Sequence, residues 1–298
     1  MAGKGTELEQ FLQDEVNQYQ GIAVPVRVSL LKRMITKKLP LSKLHPNPDD
    51  EFCFPDIGPN MGIISKYEKD FCRFQGSMQD AAMAGSGIAE PIQVQKIRPD
   101  GYMILNGHHR WAAAMRVGIP SLPVKIVNVT QVEDIRKLLS GARNNKRVAL
   151  DLDEVVFAAD GEPTEKPLRF PWNRLYPQSI RLGIPALCWY LNQHNYDVWV
   201  YTSQLISDDQ IQRLLLHHHT GAVYVVTGTG RNGRHLKHTD VSVEKMIGEK
   251  YPFTYHIDQK AVLKVSSATR EFEEFLLPGE AGWSREVQDV FRKQEQHV

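Results

Sequence analysis

Two places in this chain bring together residue types that can do chemistry. In Val148-Ala149-Leu150-Asp151-Leu152-Asp153-Glu154-Val155-Val156, two carboxylates stand two residues apart where an apolar run ends. At the period of a strand their side chains leave the same side, and the carboxyl edge of a buried strand is where a substrate crevice forms. The second place is Asn106-Gly107-His108-His109-Arg110, between a strand pattern and a helix pattern. Free backbone amides at a helix start, the helix dipole, two imidazoles and a guanidinium make an anion site in composition. His217, His218 and His219 do not make a third place. Consecutive helical positions point about 100° apart and cannot converge on one ion, whereas imidazoles suit a helix C-terminus.

The carboxylates need a sheet to carry them. Short apolar strands at 147–152, 197–202, 222–227 and 253–258 alternate with helical stretches at 179–195, 207–219 and 241–250. That alternation predicts a parallel sheet covered by helices. The anion site needs a hairpin and a helix. Ile92 to Ile97 alternates as a half-buried strand, Pro99-Asp100-Gly101 turns the chain, and Tyr102 to Leu105 returns. Trp111 to Met115 is helix material as far as Gly118, and a strand follows at Leu122 to Val127. Upstream, residues 6–19 read as an amphipathic helix with Thr6 and Glu9 spaced as a capping box, and Ile22 to Leu31 has strand composition. His45-Pro46-Asn47-Pro48-Asp49-Asp50 is a proline-broken turn. A helix over 131–139 and the polar stretch 141–146 place the boundary near residue 143, giving domains 1–143 and 144–298.

Residues 148–156 resemble motif one of the haloacid dehalogenase superfamily, and three segments follow in that family's order. Val198-Trp199-Val200-Tyr201-Thr202-Ser203 is similar to motif two, and Tyr255-His256-Ile257-Asp258 to motif four. Lys237 is placed like the motif-three lysine, with Lys245 as the other candidate. The resemblance implies Asp151 as nucleophile, Asp153 as general acid and base, and Thr202 or Ser203 with the lysine on the phosphate. It also implies Mg²⁺ held by Asp151, Asp153 and Asp258, with a backbone carbonyl and waters completing the shell. Gln259 stands where the family often has a second carboxylate. No interval is long enough for a large cap, so an open site is expected, with Arg231, Arg234, His235 and His238 as candidates to line its approach.

Across roughly residues 36–128 the chain resembles the ParB/sulfiredoxin fold. The matching elements are Pro46-Asn47-Pro48, Glu90-Pro91-Ile92 with Val94, and Gly107 with Arg110 and Ala113. His108 stands where sulfiredoxins carry a catalytic cysteine, and His108 and His109 replace the middle pair of the ParB Gly-Glu-Arg-Arg. The nearest variant is the Asp-Gly-His-x-Arg of free serine kinases, with Asn106 in place of the aspartate. This resemblance implies ATP, ADP or another phosphorylated ligand at Gly107, His108, His109 and Arg110. Asp49, Asp50 or Glu51 are then candidates for a base.

The expected fold class is therefore α/β: a ParB/sulfiredoxin-like α+β domain followed by a Rossmann-like parallel-sheet haloacid dehalogenase domain without a large cap. At 298 residues, 42% hydrophobic and 24% charged, the chain has the length and composition of two globular domains. Three scattered cysteines suggest neither a disulfide framework nor a metal knuckle, and a cytoplasmic setting is expected. No run of about 18 apolar residues and no signal-like start is seen, so no membrane partner is expected. Net charge is +1, yet no acid lies between Glu15 and Asp49, which keeps nucleic acid as a second partner. The expected function is a Mg²⁺-dependent phosphatase acting on a phosphorylated substrate, coupled to a nucleotide-binding domain. The alternative is a nucleic-acid-binding protein with an end-processing phosphatase.

Overall fold

The computed structural model describes residues 4–19, 21–74, 77–228 and 243–296, so Lys237 and the neighbouring Arg231, Arg234, His235 and His238 lie outside the described residues. Contacts divide the chain into two compact units, Met1–Asn128 and Val129–Val298. Each has its own sheet, and the protein is mixed α/β.

The first unit runs α1 (Lys4–Tyr19), β1 (Val24–Pro25), α2 (Leu30–Ile35), β2 (Lys38–Pro40), β3 (Leu44–His45), α3 (Met61–Arg73), α4 (Met78–Met83), β4 (Ile92–Arg98), β5 (Tyr102–Asn106), α5 (His108–Arg116) and β6 (Ser121–Ile126). Its sheet has the order β2-β6-β4-β5-β3, with β1 paired to β4. The expected hairpin is the antiparallel pair β4 and β5, and α5 carries the chain across to β6, which lies parallel to β4. Ala112, Ala113 and Ala114 are fully buried beside Ile64, Phe71, Ile92 and Ile104, so three small side chains let α5 lie close on the sheet. The amphipathic α1 adds Leu8, Leu12 and Val16 to that core.

The strand predicted over Ile22 to Leu31 is cut short. Only Val24 and Pro25 pair, and α2 begins soon afterwards. The Asn128 side chain explains the break, because its Oδ1 accepts from Val28 N at 2.9 Å and its Nδ2 donates to Val28 O at 2.9 Å. One amide thus satisfies both backbone groups that a ladder would otherwise use. Helix α3 was not predicted, although Asn60 caps it by accepting from the amides of Gly62 and Ile63.

The second unit runs α6 (Val132–Gly141), β7 (Lys146–Asp151), α7 (Trp172–Leu175), α8 (Ile184–Gln193), β8 (Tyr196–Thr202), α9 (Asp208–His217), β9 (Val223–Thr227), α10 (Val243–Lys250), β10 (Phe253–Ile257), β11 (Ala261–Ser266), β12 (Phe272–Leu276) and α11 (Trp283–Gln296). The sheet order is β12-β11-β10-β7-β8-β9. β10, β7, β8 and β9 are mutually parallel, and β11 and β12 add an antiparallel edge. Val148, Ala149 and Leu150 are fully buried, as a strand covered on both faces requires. The contacts split the chain ahead of α6 rather than near residue 143. The cause is α6 itself: Ile135 and Ala142 are buried in one cluster with Ala149, Trp199 and Tyr251, so the polar stretch after it is a connector within the second unit.

Candidate functional site

The sheet of the second unit reverses direction of growth at β7. From β7 the chain adds β8 and then β9 on one side, and later returns to place β10 on the other. Helices leave such a switch point on opposite faces, and a crevice opens at the carboxyl ends of the two central strands. Asp151 ends β7. Asp258 follows β10, one residue beyond the Ile257–Leu150 pair, and so stands level with Asp151 across the switch point.

Asp151 caps a single wide turn, Leu152–Val156, in which Phe157 N donates to Leu152 O at 2.8 Å with the i to i+5 spacing of a π-turn. Leu152, Val155 and Val156 are fully buried and anchor this turn, which leaves Asp151, Asp153 and Glu154 toward solvent. Asp151 Oδ1 accepts from the amides of Asp153 at 2.8 Å and Glu154 at 3.0 Å. Among the described residues its Oδ2 accepts no hydrogen bond, so one carboxylate oxygen is held and the other is available.

Asp153 is held differently. Thr202 Oγ1 donates to its Oδ2 at 2.5 Å, and Gln204 Nε2 donates to its Oδ1 at 2.7 Å. Thr202 is buried and turned toward Asp153, while Ser203, the other hydroxyl candidate, is exposed. Gln204 was not foreseen: nothing distinguishes a glutamine in a polar loop until the fold brings it against a carboxylate. Gln259, in the place of a second acid, donates through Nε2 to Glu154 O at 3.0 Å and so ties the end of β10 to the turn after Asp151. Trp283 Nε1 donates to Asp258 O at 3.2 Å from the other side. Lys245 lies exposed on α10.

The donor set bears on the expected metal. The carboxylates of Asp151 and Asp258 are hard oxygen donors at adjacent strand ends, and Mg²⁺ takes one or two carboxylates while keeping several waters, so these residues fit it. Among the described residues no group of three or more His, Cys, Asp or Glu side chains could hold an ion. The Asp153 carboxylate accepts one hydrogen bond on each oxygen, from Thr202 and Gln204, so protein donors orient it where Asp151 Oδ2 has none among the described residues.

In the first unit, Gly107 opens α5 at φ +102°, and a Cβ there would come within 2.5 Å of Ile92 Cγ2, so only glycine fits. His108 is buried, stacks on Phe52, accepts from Asn47 N through Nε2 at 3.2 Å, and has Asp50 Oδ2 at 3.6 Å from Nδ1. Burial pushes its pKa down to about 4 against the opposing pull of Asp50. His109 accepts from Asn60 N through Nε2 at 3.1 Å, and burial lowers its pKa as well. Both rings are therefore neutral acceptors that tie the 47–60 segment to α5. Arg110 is buried, and its Nη1 donates to Glu90 O at 2.6 Å and Gly87 O at 3.3 Å. The structure brings the four expected ligand residues together but turns three of their side chains to structural partners. Among the described residues, the start of α5 at Gly107 carries no side-chain cap.

His217, His218 and His219 end α9 as the sequence suggests, with His217 stacked on Trp172 at 4.3 Å between ring centroids. The thiols of Cys53 and Cys188 are both pushed up to about 12 by burial, which suits inert core residues.

Residues 76–141 match the family model of the ParB N-terminal domain. Among solved structures, the C-terminally truncated chromosome-partitioning protein ParB from Caulobacter crescentus complexed with CTP-gamma-S is 22% identical, with a TM-score of 0.24, and the match covers 37% of this chain and 55% of that one. The same protein complexed to the centromeric parS site is 22% identical, with a TM-score of 0.22, over 36% of this chain and 50% of that one. The chain thus spans about half the length of these solved structures. No curated protein matches. The stretch matched by the family model ends at residue 141, so any reading of the carboxylate site rests on its own geometry.

Proposed function

We propose that the second unit is a Mg²⁺-dependent phosphatase of the haloacid dehalogenase type, working through an aspartyl-phosphate on Asp151. The observation that supports it most is the pairing of a half-held nucleophile with a fully held neighbour: Asp151 keeps Oδ2 available at the switch point, while Thr202 and Gln204 fix Asp153 two residues away. In the first step Asp151 attacks the phosphorus of a monoester, the bond to the ester oxygen breaks, and that oxygen takes the proton carried by a protonated Asp153, which becomes the carboxylate. In the second step water attacks the phosphorus and yields its proton to Asp153, and the acyl-phosphate bond breaks to return the Asp151 carboxylate and inorganic phosphate. When bound, Mg²⁺ supplies neutralisation of the charge on the transferring group.

Phosphate release from a panel of phosphate esters and nucleotides, with and without chelator, tests the reading. Asp151→Asn is expected to lower turnover by roughly 10⁴-fold or more. Label from a radioactive ester should map to Asp151, and label on a serine or histidine would overturn the mechanism.

The ParB N-terminal domain match at 76–141 favours a companion reading for the first unit, a nucleotide or nucleic-acid ligand, since the similar solved proteins were complexed with CTP-gamma-S and with parS. On that reading the chain couples nucleotide or nucleic-acid binding to phosphate-end processing. Calorimetric titration with CTP, ATP and ADP, and with duplex DNA at varied salt, separates the two ligands.

A further inference from the structure

The first unit turns an apolar helix stripe outward. On α2, Leu31 (68% exposed), Met34 (44%) and Ile35 (68%) sit at i, i+3 and i+4, one face of the helix and the reverse of a helix that lays its apolar side on a core. Ile22 and Val24, earlier in the same segment, are exposed as well. Cations border this face. Lys32, Lys37 and Lys38 are exposed on the segment itself, and exposed Lys125 follows Val124, whose N–H donates to Lys37 O at 3.0 Å. The stretches that build this edge hold no acid from Val16 to Pro48 or from Gly101 to Val132.

We infer that this edge docks on an anionic lipid surface, with Leu31, Met34 and Ile35 entering the headgroup boundary and the lysines meeting lipid phosphates. The chemistry selects among occupants. A second copy placed face to face would set cations against cations, and a nucleic acid would satisfy the lysines but leave the apolar stripe in water. A bilayer answers both. The expectation of no membrane partner rested on the lack of a spanning segment. Among the described residues no helix is long and apolar enough to cross a membrane, but surface docking requires none.

Co-sedimentation of the full chain with vesicles of phosphatidylcholine alone, or mixed with phosphatidylglycerol, tests this. Binding is expected to the mixed vesicles and to weaken with salt. Replacing Lys37 and Lys38 together with Ala should cut partitioning about 25-fold, at about fivefold per surface cation. The charge-neutral double change Leu31→Ser and Ile35→Ser should cut it about tenfold, and because both side chains already face water, its unfolding midpoint should stay near that of the wild type. Equal binding to both vesicle types would overturn the inference. So would undiminished binding of the Leu31→Ser, Ile35→Ser protein, or binding to duplex DNA in place of vesicles.

Discussion

At the residue scale, His108 shows how a side chain suited to a ligand can be absorbed by the fold. Its Nε2 accepts the Asn47 amide and Phe52 covers its ring, so the folded chain holds the neutral imidazole. A free histidine titrates near 6.5, whereas burial takes this one to about 4. Protons therefore bind the unfolded chain more readily, and the stabilisation is complete above about pH 6.5 and lost as pH falls through about 4. The loss approaches about 3 kcal/mol. His109 shifts in the same direction, again first by burial. Denaturant unfolding of the wild type and His108→Gln, which keeps an acceptor but does not titrate, measures it. The wild type should lose more stability between about pH 7 and about pH 4.5. Parallel pH profiles would mean that His108 does not carry the effect. The same absorption explains Arg110: a buried guanidinium needs acceptors, and the carbonyls of Gly87 and Glu90 supply them, so an anion would have to compete with both.

At the element scale, the sequence was read well wherever periodicity and burial agree. The strands β7 to β10, the β4–β5 hairpin and the α5 start at Gly107 fall close to where their patterns put them, because each is a short apolar run bounded by turn residues. The misses share a cause. Val28 lost its strand to a side chain a hundred residues away, and the contacts divide the chain after Asn128 rather than near residue 143 because the low hydrophobicity of the polar stretch before β7 does not reveal what α6 covers. Ile135 decides the point: it is buried against Trp199 and Tyr251 of the second unit. Ile135→Ala should therefore destabilise that unit by about 3 kcal/mol. Amide exchange should quicken in β7 and β8 and stay unchanged in β4 and β5. Faster exchange in β4 and β5 instead would return α6 to the first unit.

At the scale of the whole molecule, the carboxylates were legible because their spacing is local, but their division of labour was not, since it depends on Thr202, Gln204, Gln259 and Trp283 arriving from separate elements. Those partners split three candidate metal ligands into two kinds. Asp151 and Asp258 present carboxylates at adjacent strand ends, whereas Asp153 has both oxygens engaged. With two carboxylates in place of three, deleting one should be severe. Asp258→Ala is expected to raise the Mg²⁺ concentration for half-maximal turnover by about tenfold or more, since Mg²⁺ has few other protein oxygens to use. Asp153→Asn should slow turnover by about 10²- to 10⁴-fold while leaving the Mg²⁺ requirement near that of the wild type, because proton transfer is lost and no ligand is. The two variants must therefore part company in a titration of turnover against Mg²⁺. If Asp153→Asn raised the requirement as far as Asp258→Ala does, Asp153 would be a ligand after all, and the hold of Thr202 and Gln204 on it would have to break when the ion binds.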